Sequence, residues 1–295
     1  MEQAEPFFSI IIPTYNRAGF ISKTIASILE QTYPHFEIII VDDGSTDNTQ
    51  EVIKSILHPK LRYFKKQNGE RGAARNYGMQ LSKGNYINFF DSDDLLYPNH
   101  FAIAAKFIRE HKAIFFNVGY EILDEEGRVI SKNCEFSKYW KAELIKSNYL
   151  ACNSVFLTRE LALKYPFIED RKLTTAEDWE IWLRISSRYP LQSCNTVTFA
   201  MIEHAERSLN TVSPERIIER DKYLMEVLLQ DTAFRETYQN YLKIFIADRY
   251  TFFSLILALT KKRRLETLKY IGKAFMVEPK VLKRRRFWAS LKHLL

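Results

Sequence analysis

Residues 36–49 read FEIIIVDDGSTDNT, and this stretch decides the architecture. Phe36 to Val41 is an aromatic and β-branched run of strand type. The chain then turns polar at once, and Thr46 or Asp47 stands where it caps a helix predicted to reach Leu57. Working outward, the same strand-then-helix unit recurs. Ser9–Pro13 (SIIIP) reads as a buried strand, and Ala18–Glu30 as a helix with Phe20, Ile21, Ile25, Ile28 and Leu29 at helical spacing. Leu61–Lys65 and Tyr86–Phe90 are strands on either side of a helix over Gly72–Leu81. Such alternation predicts an α/β fold, with a sheet flanked by helices and ligands bound at the strands' C-terminal ends.

Those ends carry the polar loops PTYNR, DDGSTDNT, KQNGERGAARN and DSDD. The second half is less regular. It reads as a strand over Ala113–Leu123 turning at Asp124–Arg128, and a helix over Ser137–Ser147. A strand over Asn153–Leu157, an amphipathic helix over Thr175–Ser187 and an extended Leu191–Ala200 follow. From Pro214 the pattern is helical to the end.

Composition narrows the function classes. The 295 residues carry a net charge of +7, but Lys261–Leu295 alone holds 12 Lys/Arg against Glu266 and Glu278. The remaining 260 residues are net −3, so the basic footprint of a nucleic-acid-binding domain is missing from the main body. Cys134, Cys152 and Cys194 have no CxxC spacing, and reduced thiols in a cytoplasmic protein are expected. The acidic start MEQAEPFFS is not a signal peptide. The apolar run Thr251–Thr260 is about half the ~20 residues of a membrane span.

The loop DSDD places three carboxylates within four residues at a strand end. Asp91 and Asp93 lie on one side of an extended chain, and hard oxygen donors of this kind suit Mg²⁺ or Mn²⁺ carrying substrate phosphates. The alternative is a set of caps for a helix beginning near Pro98. An EF-hand reading of DDGSTDNTQEVIK fails, because Asn48 replaces the turn glycine and Lys54 the closing glutamate. Asp42 and Asp43 are instead expected at the ligand edge, where a carboxylate can accept a base N–H. No GxGxxG or GxxxxGK[ST] occurs. Arg71 and Arg75 offer guanidinium groups at a helix start, or else a solvated face. Glu177 and Asp178 open a helix beside Trp179, where a carboxylate near apolar rings can act as general base. His204 is a polar loop residue unless a metal lies close by.

Taken in order, SIIIPTYNR, IIIVDDGSTDNT, GAARNYG, FFDSDD and AEDWEIWLR resemble family 2 glycosyltransferases of the GT-A fold, over roughly residues 7–210. The resemblance implies a Rossmann-like mixed sheet at 1–213, with a nucleotide-binding half at about 7–110 and an acceptor half at 111–213. A helical, basic extension at 214–295 lies outside the shared core. It implies a nucleotide-sugar donor, most commonly a UDP-sugar, held by Pro13, Tyr15, Arg17, Asp43, Arg75 and Asp91. Mn²⁺ or Mg²⁺ would be held by Asp93 and Asp91, with His204 approaching. Asp178, with Glu177 beside it, would be the catalytic base of an inverting displacement onto a glycan or lipid-linked hydroxyl in surface polysaccharide or glycolipid assembly. The rivals are a nucleotidyltransferase, or an inactive relative that binds a partner.

The extension ends in KVLKRRRFWASLKHLL, where Phe287, Trp288, Leu291, Leu294 and Leu295 interleave with basic residues. That pattern predicts a peripheral contact with the cytoplasmic face of a membrane.

Overall fold

A computed structural model describes residues 5–205, 213–260 and 263–294. The chain forms two compact units, Met1–Lys138 with Leu150–Ile181 and Tyr189–Asn210, and Tyr139–Tyr149 with Trp182–Arg188 and Thr211–Leu295. The division expected at 213/214 lies near the last of these boundaries. Two shorter segments upstream also join the second unit.

The first unit is built on strands β1 (Phe8–Thr14), β2 (Phe36–Asp42), β3 (Leu61–Lys65) and β4 (Tyr86–Phe89), with helices α1 (Ile21–Leu29), α2 (Thr49–Lys54) and α3 (Glu70–Leu81) between them. After β4 come β5 (Leu95–Leu96), α4 (His100–His111), and the hairpin β6 (Phe115–Leu123) and β7 (Val129–Asn133). Then follow β8 (Val155–Thr158), α6 (Arg159–Lys164), α7 (Glu177–Ser186) and β9 (Gln192–Ile202), while α5 (Trp140–Leu144) and α7 from Trp182 onward belong to the second unit. One nine-stranded sheet has the order β3-β2-β1-β4-β8-β6-β9-β5, with β7 paired to β6. It is the mixed sheet with flanking helices that the sequence implies.

All residues of β1 and β2 are buried, because helices cover both faces of a parallel sheet. Phe8, Ile10 and Ile12 face a core with Ile21, Ile25, Ile28 and Phe101, in which the Phe8 and Phe101 rings stack at 4.9 Å. The parallel register sets Thr14 beside Asp42 and Asp42 beside Lys65. Three strands therefore end level, and β4, paired from Phe8–Tyr86 to Ile11–Phe89, ends on the same edge. Past β4 the pairing turns antiparallel to β8. The two-residue β5 pairs with Phe199 and Ala200 of β9, which fastens the DSDD loop beside the strand that leads to His204.

The second unit holds α8 (Pro214–Gln230), α9 (Thr232–Thr237), α10 (Leu242–Leu259), α11 (Arg264–Val277) and α12 (Arg285–Leu294). The fully buried Asp221 receives Arg249 Nη1 at 3.1 Å and Arg220 Nη2 at 2.8 Å. Buried Ser186 and Tyr238 share a hydroxyl hydrogen bond of 2.7 Å. Among the described residues no helix is long and apolar enough to cross a membrane.

Part of the apolar stripe expected on α12 turns inward. Phe287 is buried in a cluster with Ala247, Ile271, Ala274 and Val281, and Leu291 packs against it. The apolar stripe of a short helix is worth more inside its own unit, where it meets a preformed surface. Trp288 alone among the ring residues stays exposed, its Nε1–H donating to the Leu282 carbonyl at 2.6 Å. Leu295 lies outside the described residues.

Gly84 gives the first unit a sharp test. A Cβ there would stand 2.5 Å from the Phe7 carbonyl oxygen and 2.6 Å from the Ser9 nitrogen, atoms of a backbone that cannot step aside. Gly84→Ala should cost about 1–3 kcal/mol or more in urea unfolding. An unchanged midpoint would show that the turn relaxes freely.

Candidate active site

The DSDD loop sends its three carboxylates to three different partners. Asp94 is fully buried, accepting the Ile202 N–H at 2.9 Å on Oδ1 and the Asn153 amide at 2.6 Å on Oδ2. It is a fastener between β4 and β9, not a ligand. Asp93 Oδ2 lies 3.4 Å from Arg17 Nε and 3.3 Å from His204 Nε2. Asp91 Oδ1 receives Arg75 Nη2 at 3.1 Å, and its own N–H donates to Asn153 Oδ1 at 3.0 Å. The crowding that the sequence displays is relieved by separation.

Arg75 sits on α3 with a side chain only 2% exposed. Nη1 reaches Glu177 Oε1 at 2.8 Å, Nη2 reaches Asp91, and the guanidinium lies 5.4 Å from the Phe167 ring centroid. Both terminal nitrogens are thus engaged by carboxylates. A buried guanidinium needs such partners, since desolvation of an unpaired charge costs several kcal/mol. Burial opposes its charge, but Cys152 and the carboxylates of Asp91, Glu177 and Asp178 together hold its pKa above the ordinary arginine value.

Glu177 and Asp178 open α7, two residues after Thr175, whose φ of 75° is a strained value for a β-branched residue. A helix N-terminus would lower a carboxyl pKa, but by no more than about 1 kcal/mol of interaction. Burial acts the other way and dominates. Together with the neighbouring Glu177 charge it pushes Asp178 up to about 7, against the opposing pull of Arg75. Asp178 Oδ1 accepts the Trp179 N–H at 2.7 Å. A carboxyl poised at that value suits proton transfer at neutral pH.

Asp43 is buried in the loop after β2, where Oδ1 accepts Lys66 Nζ at 2.8 Å and the Gly69 N–H at 2.9 Å. Asp42, also expected at the ligand edge, is instead turned into the fold, bonded to the Ser45 N–H at 2.7 Å and the Tyr63 hydroxyl at 2.6 Å. The second helix starts at Thr49, and Asp47 Oδ1 accepts its N–H at 3.0 Å. Pro13 is buried near the end of β1, and Tyr15 is 47% exposed at its loop. Asn16, at φ 51°, locks that loop by accepting the Thr46 N–H at 2.8 Å.

The donor set can be tested for a divalent cation. Both ring nitrogens of His204 are buried without a hydrogen-bond partner, although Nε2 is 3.3 Å from Asp93. The ring is held by stacking on Phe20 at 4.6 Å. An imidazole nitrogen and a carboxylate oxygen converging without a bond between them fit a cation with oxygen and nitrogen ligands. Among the described residues no group of three or more His, Cys, Asp or Glu gathers to hold a metal, so such an ion would take further ligands from a diphosphate and water.

Asn153 is the functional residue that sequence reasoning missed. It is buried, it links Asp94 to the Asp91 backbone, and its carbonyl accepts Asn88 Nδ2 at 2.9 Å. A lone asparagine between short elements carries no signal of that role.

Comparison with known proteins adds independent evidence. Residues 9–163, just over half of the chain, match the model for "Glycosyl transferase family 2". A glycosyltransferase of Rickettsia bellii is 37% identical over 183 residues, covering 61% of this chain and 26% of that protein. The chondroitin synthase of Escherichia coli is 29% identical over 207 residues, covering 69% and 30%. The chain thus spans about a quarter to a third of these relatives' length. In fold it resembles S. aureus TarS 1-349 solved with UDP-GlcNAc, with a TM-score of 0.72 at 22% identity over 98% of this chain and 88% of that one.

Arg75→Met keeps the volume and removes the charge, leaving Glu177 buried and uncompensated. The loss should be about 3–5 kcal/mol in chemical denaturation, the range for breaking one side of a buried pair. A loss under about 1 kcal/mol would mean that the bridge is not a structural keystone.

Proposed function

This chain belongs to glycosyl transferase family 2, and from that premise we propose that it moves a sugar from a nucleotide-sugar donor to an acceptor hydroxyl with inversion at the anomeric carbon. The observation that carries the reading is Asp178, a carboxyl raised to about 7 beside Glu177 and within the field of Arg75 and Asp91. In this reading Asp178 takes the proton of the acceptor hydroxyl. The oxygen bonds to the anomeric carbon from the face opposite the nucleotide, and the bond from that carbon to the diphosphate breaks, its electron pair leaving with the nucleoside diphosphate. Inversion follows from a single displacement, and no covalent nucleophile is needed.

In this reading the donor would lie at the strand ends. Asp43 Oδ2, to which no donor among the described residues is bonded, would accept a base N–H, and Tyr15 and Pro13 would flank the nucleoside. Arg17, beside Asp93, would turn its charge to the diphosphate. Asp91 serves by holding Arg75 in place. Mn²⁺ or Mg²⁺ held by Asp93 and His204 would supply charge neutralisation on the departing diphosphate. TarS solved with UDP-GlcNAc supports a UDP-sugar donor and a hexosyl or N-acetylhexosaminyl group. A chondroitin synthase among the relatives supports polysaccharide or glycolipid assembly. The acceptor is a glycan, free or lipid-linked, met in the cytoplasm or at the cytoplasmic face of a membrane. Nucleic acid is not a partner.

The first test is a screen of nucleotide sugars with Mn²⁺, following release of nucleoside diphosphate. With the active donor, Asp178→Asn should lower kcat by about 10²–10⁴ and leave nucleotide affinity unchanged, the magnitude of a lost general base. The base works deprotonated, so kcat should fall about tenfold per pH unit below about 7 and level off above it. A flat profile from acid to neutral pH would assign the proton elsewhere.

Chelation gives a separate outcome. EDTA should abolish turnover, Mn²⁺ should restore it, and Asp93→Asn should raise the Mn²⁺ concentration needed for half-maximal activity by about 10–100-fold. Full activity in excess EDTA would sink the metal assignment.

A further inference from the structure

Besides the exposed basic side chains of α12, the second unit carries an apolar face on α11. On α11, Leu265 is 84% exposed, Leu268 48%, Phe275 45% and Met276 76%. At about 100° per residue these four and Gly272 fall in one sector of about 100°. A Cβ built at Gly272 would meet nothing within 4 Å, so the sector is open along its length. The neighbouring sector of α11 carries Thr267, Ile271 and Ala274, all buried. The helix is therefore apolar on two faces, and only one is used by the fold.

What surrounds the open face selects its occupant. Lys269, Lys280, Lys283, Arg285 and Arg286 are exposed, and the segment 261–295 is net +10. At the start of α11 a cleft of about 270 Å³ gathers Arg264, Lys292 and His293 beside Leu294. A second copy of the chain would bring an equal positive charge against this one, at a cost that grows with desolvation. An anionic lipid surface complements both features, since it takes apolar side chains between its headgroups and draws cations to its phosphates.

We propose that the outer face of α11 docks the second unit onto an anionic lipid bilayer, with the adjoining basic cleft receiving lipid phosphate. The inference extends the membrane placement proposed above. It is read without any sugar donor, so its failure and that of the catalytic reading are distinguishable.

The experiment is sedimentation of the full chain with phosphatidylcholine vesicles, with and without phosphatidylglycerol. Binding should need the anionic lipid and weaken as salt rises. Leu268→Glu with Met276→Glu, at exposed positions, should reduce binding at least about tenfold, the scale expected for two lost apolar contacts. Lys269→Glu with Lys280→Glu should reduce it by a similar factor through charge alone, and keeps the test open if the first pair fails to fold. Equal sedimentation of both variants and the wild-type chain would overturn the proposal. So would equal binding to phosphatidylcholine alone. A wild-type dimer in light scattering that the Leu268 and Met276 substitutions dissociate, without change in vesicle binding, would assign the face to a second copy instead.

Discussion

A single buried cation sets the terms for the whole candidate site. Arg75 is engaged on one side by Asp91 and on the other by Glu177, with almost no solvent on its side chain. One guanidinium can pair with two carboxylates but carries only one positive charge, and the neighbourhood holds a third carboxylate. The surplus falls on Asp178, whose charge is opposed by burial and by Glu177 before Arg75 can compensate it. Protonation near neutral pH is how a half-buried carboxyl escapes such a surplus. The same arrangement that stabilises the junction of α3, the end of β4 and the start of α7 thus also raises the Asp178 carboxyl to the strength that the proposed base requires. Stability and chemistry here are one charge balance.

Around that junction the fold works by alignment. Level parallel strands bring four loops to one edge without any of them being long. The fixed hand of strand–helix–strand connections makes this alignment nearly automatic. The antiparallel half is less automatic, and there the positioning is done by polar atoms. Asp94 and Asn153 tie the DSDD loop to β9 and to the chain before β8 through bonds that leave neither side chain accessible. A buried network of this type specifies one arrangement strongly, because each unmade bond would leave an unsatisfied group.

This contrast explains what the sequence makes legible. The strands and helices up to Phe89 follow from periodicity and loop chemistry, both local properties. Glu177, Asp178, Asp91 and Asp93 are also visible, since clustered carboxylates at element ends are unusual in any context. The depth of Arg75 is not visible, because a guanidinium under a site and one on a solvated helix face have the same local sequence. Asp94 and Asp93 are adjacent and identical in type, yet one is a strut and the other faces His204. Only the pairing of β5 with β9, formed across more than a hundred residues, decides between them. The two-residue β5 itself carries too little pattern to be read. In α12 the amphipathic pattern is plain, but whether the stripe faces lipid or its own unit is a tertiary matter, and Phe287 settles it inward.

The distribution of charge then bears on how an anionic donor is met. Apart from the last 35 residues the chain is net negative, so no long-range field draws a nucleoside diphosphate to the sheet edge. At physiological salt such a field would in any case fade within about 8 Å. Capture must rest on groups at the edge itself. Of these, Lys66 is committed to Asp43, Arg75 is committed to two carboxylates, and Arg17 stands beside Asp93. The cationic side chains at the edge are therefore largely offset by the carboxylates that position them. A ligand carrying two phosphates would need more positive charge than these side chains leave over. The orphaned nitrogens of His204 beside Asp93 mark the point where a divalent ion could supply it.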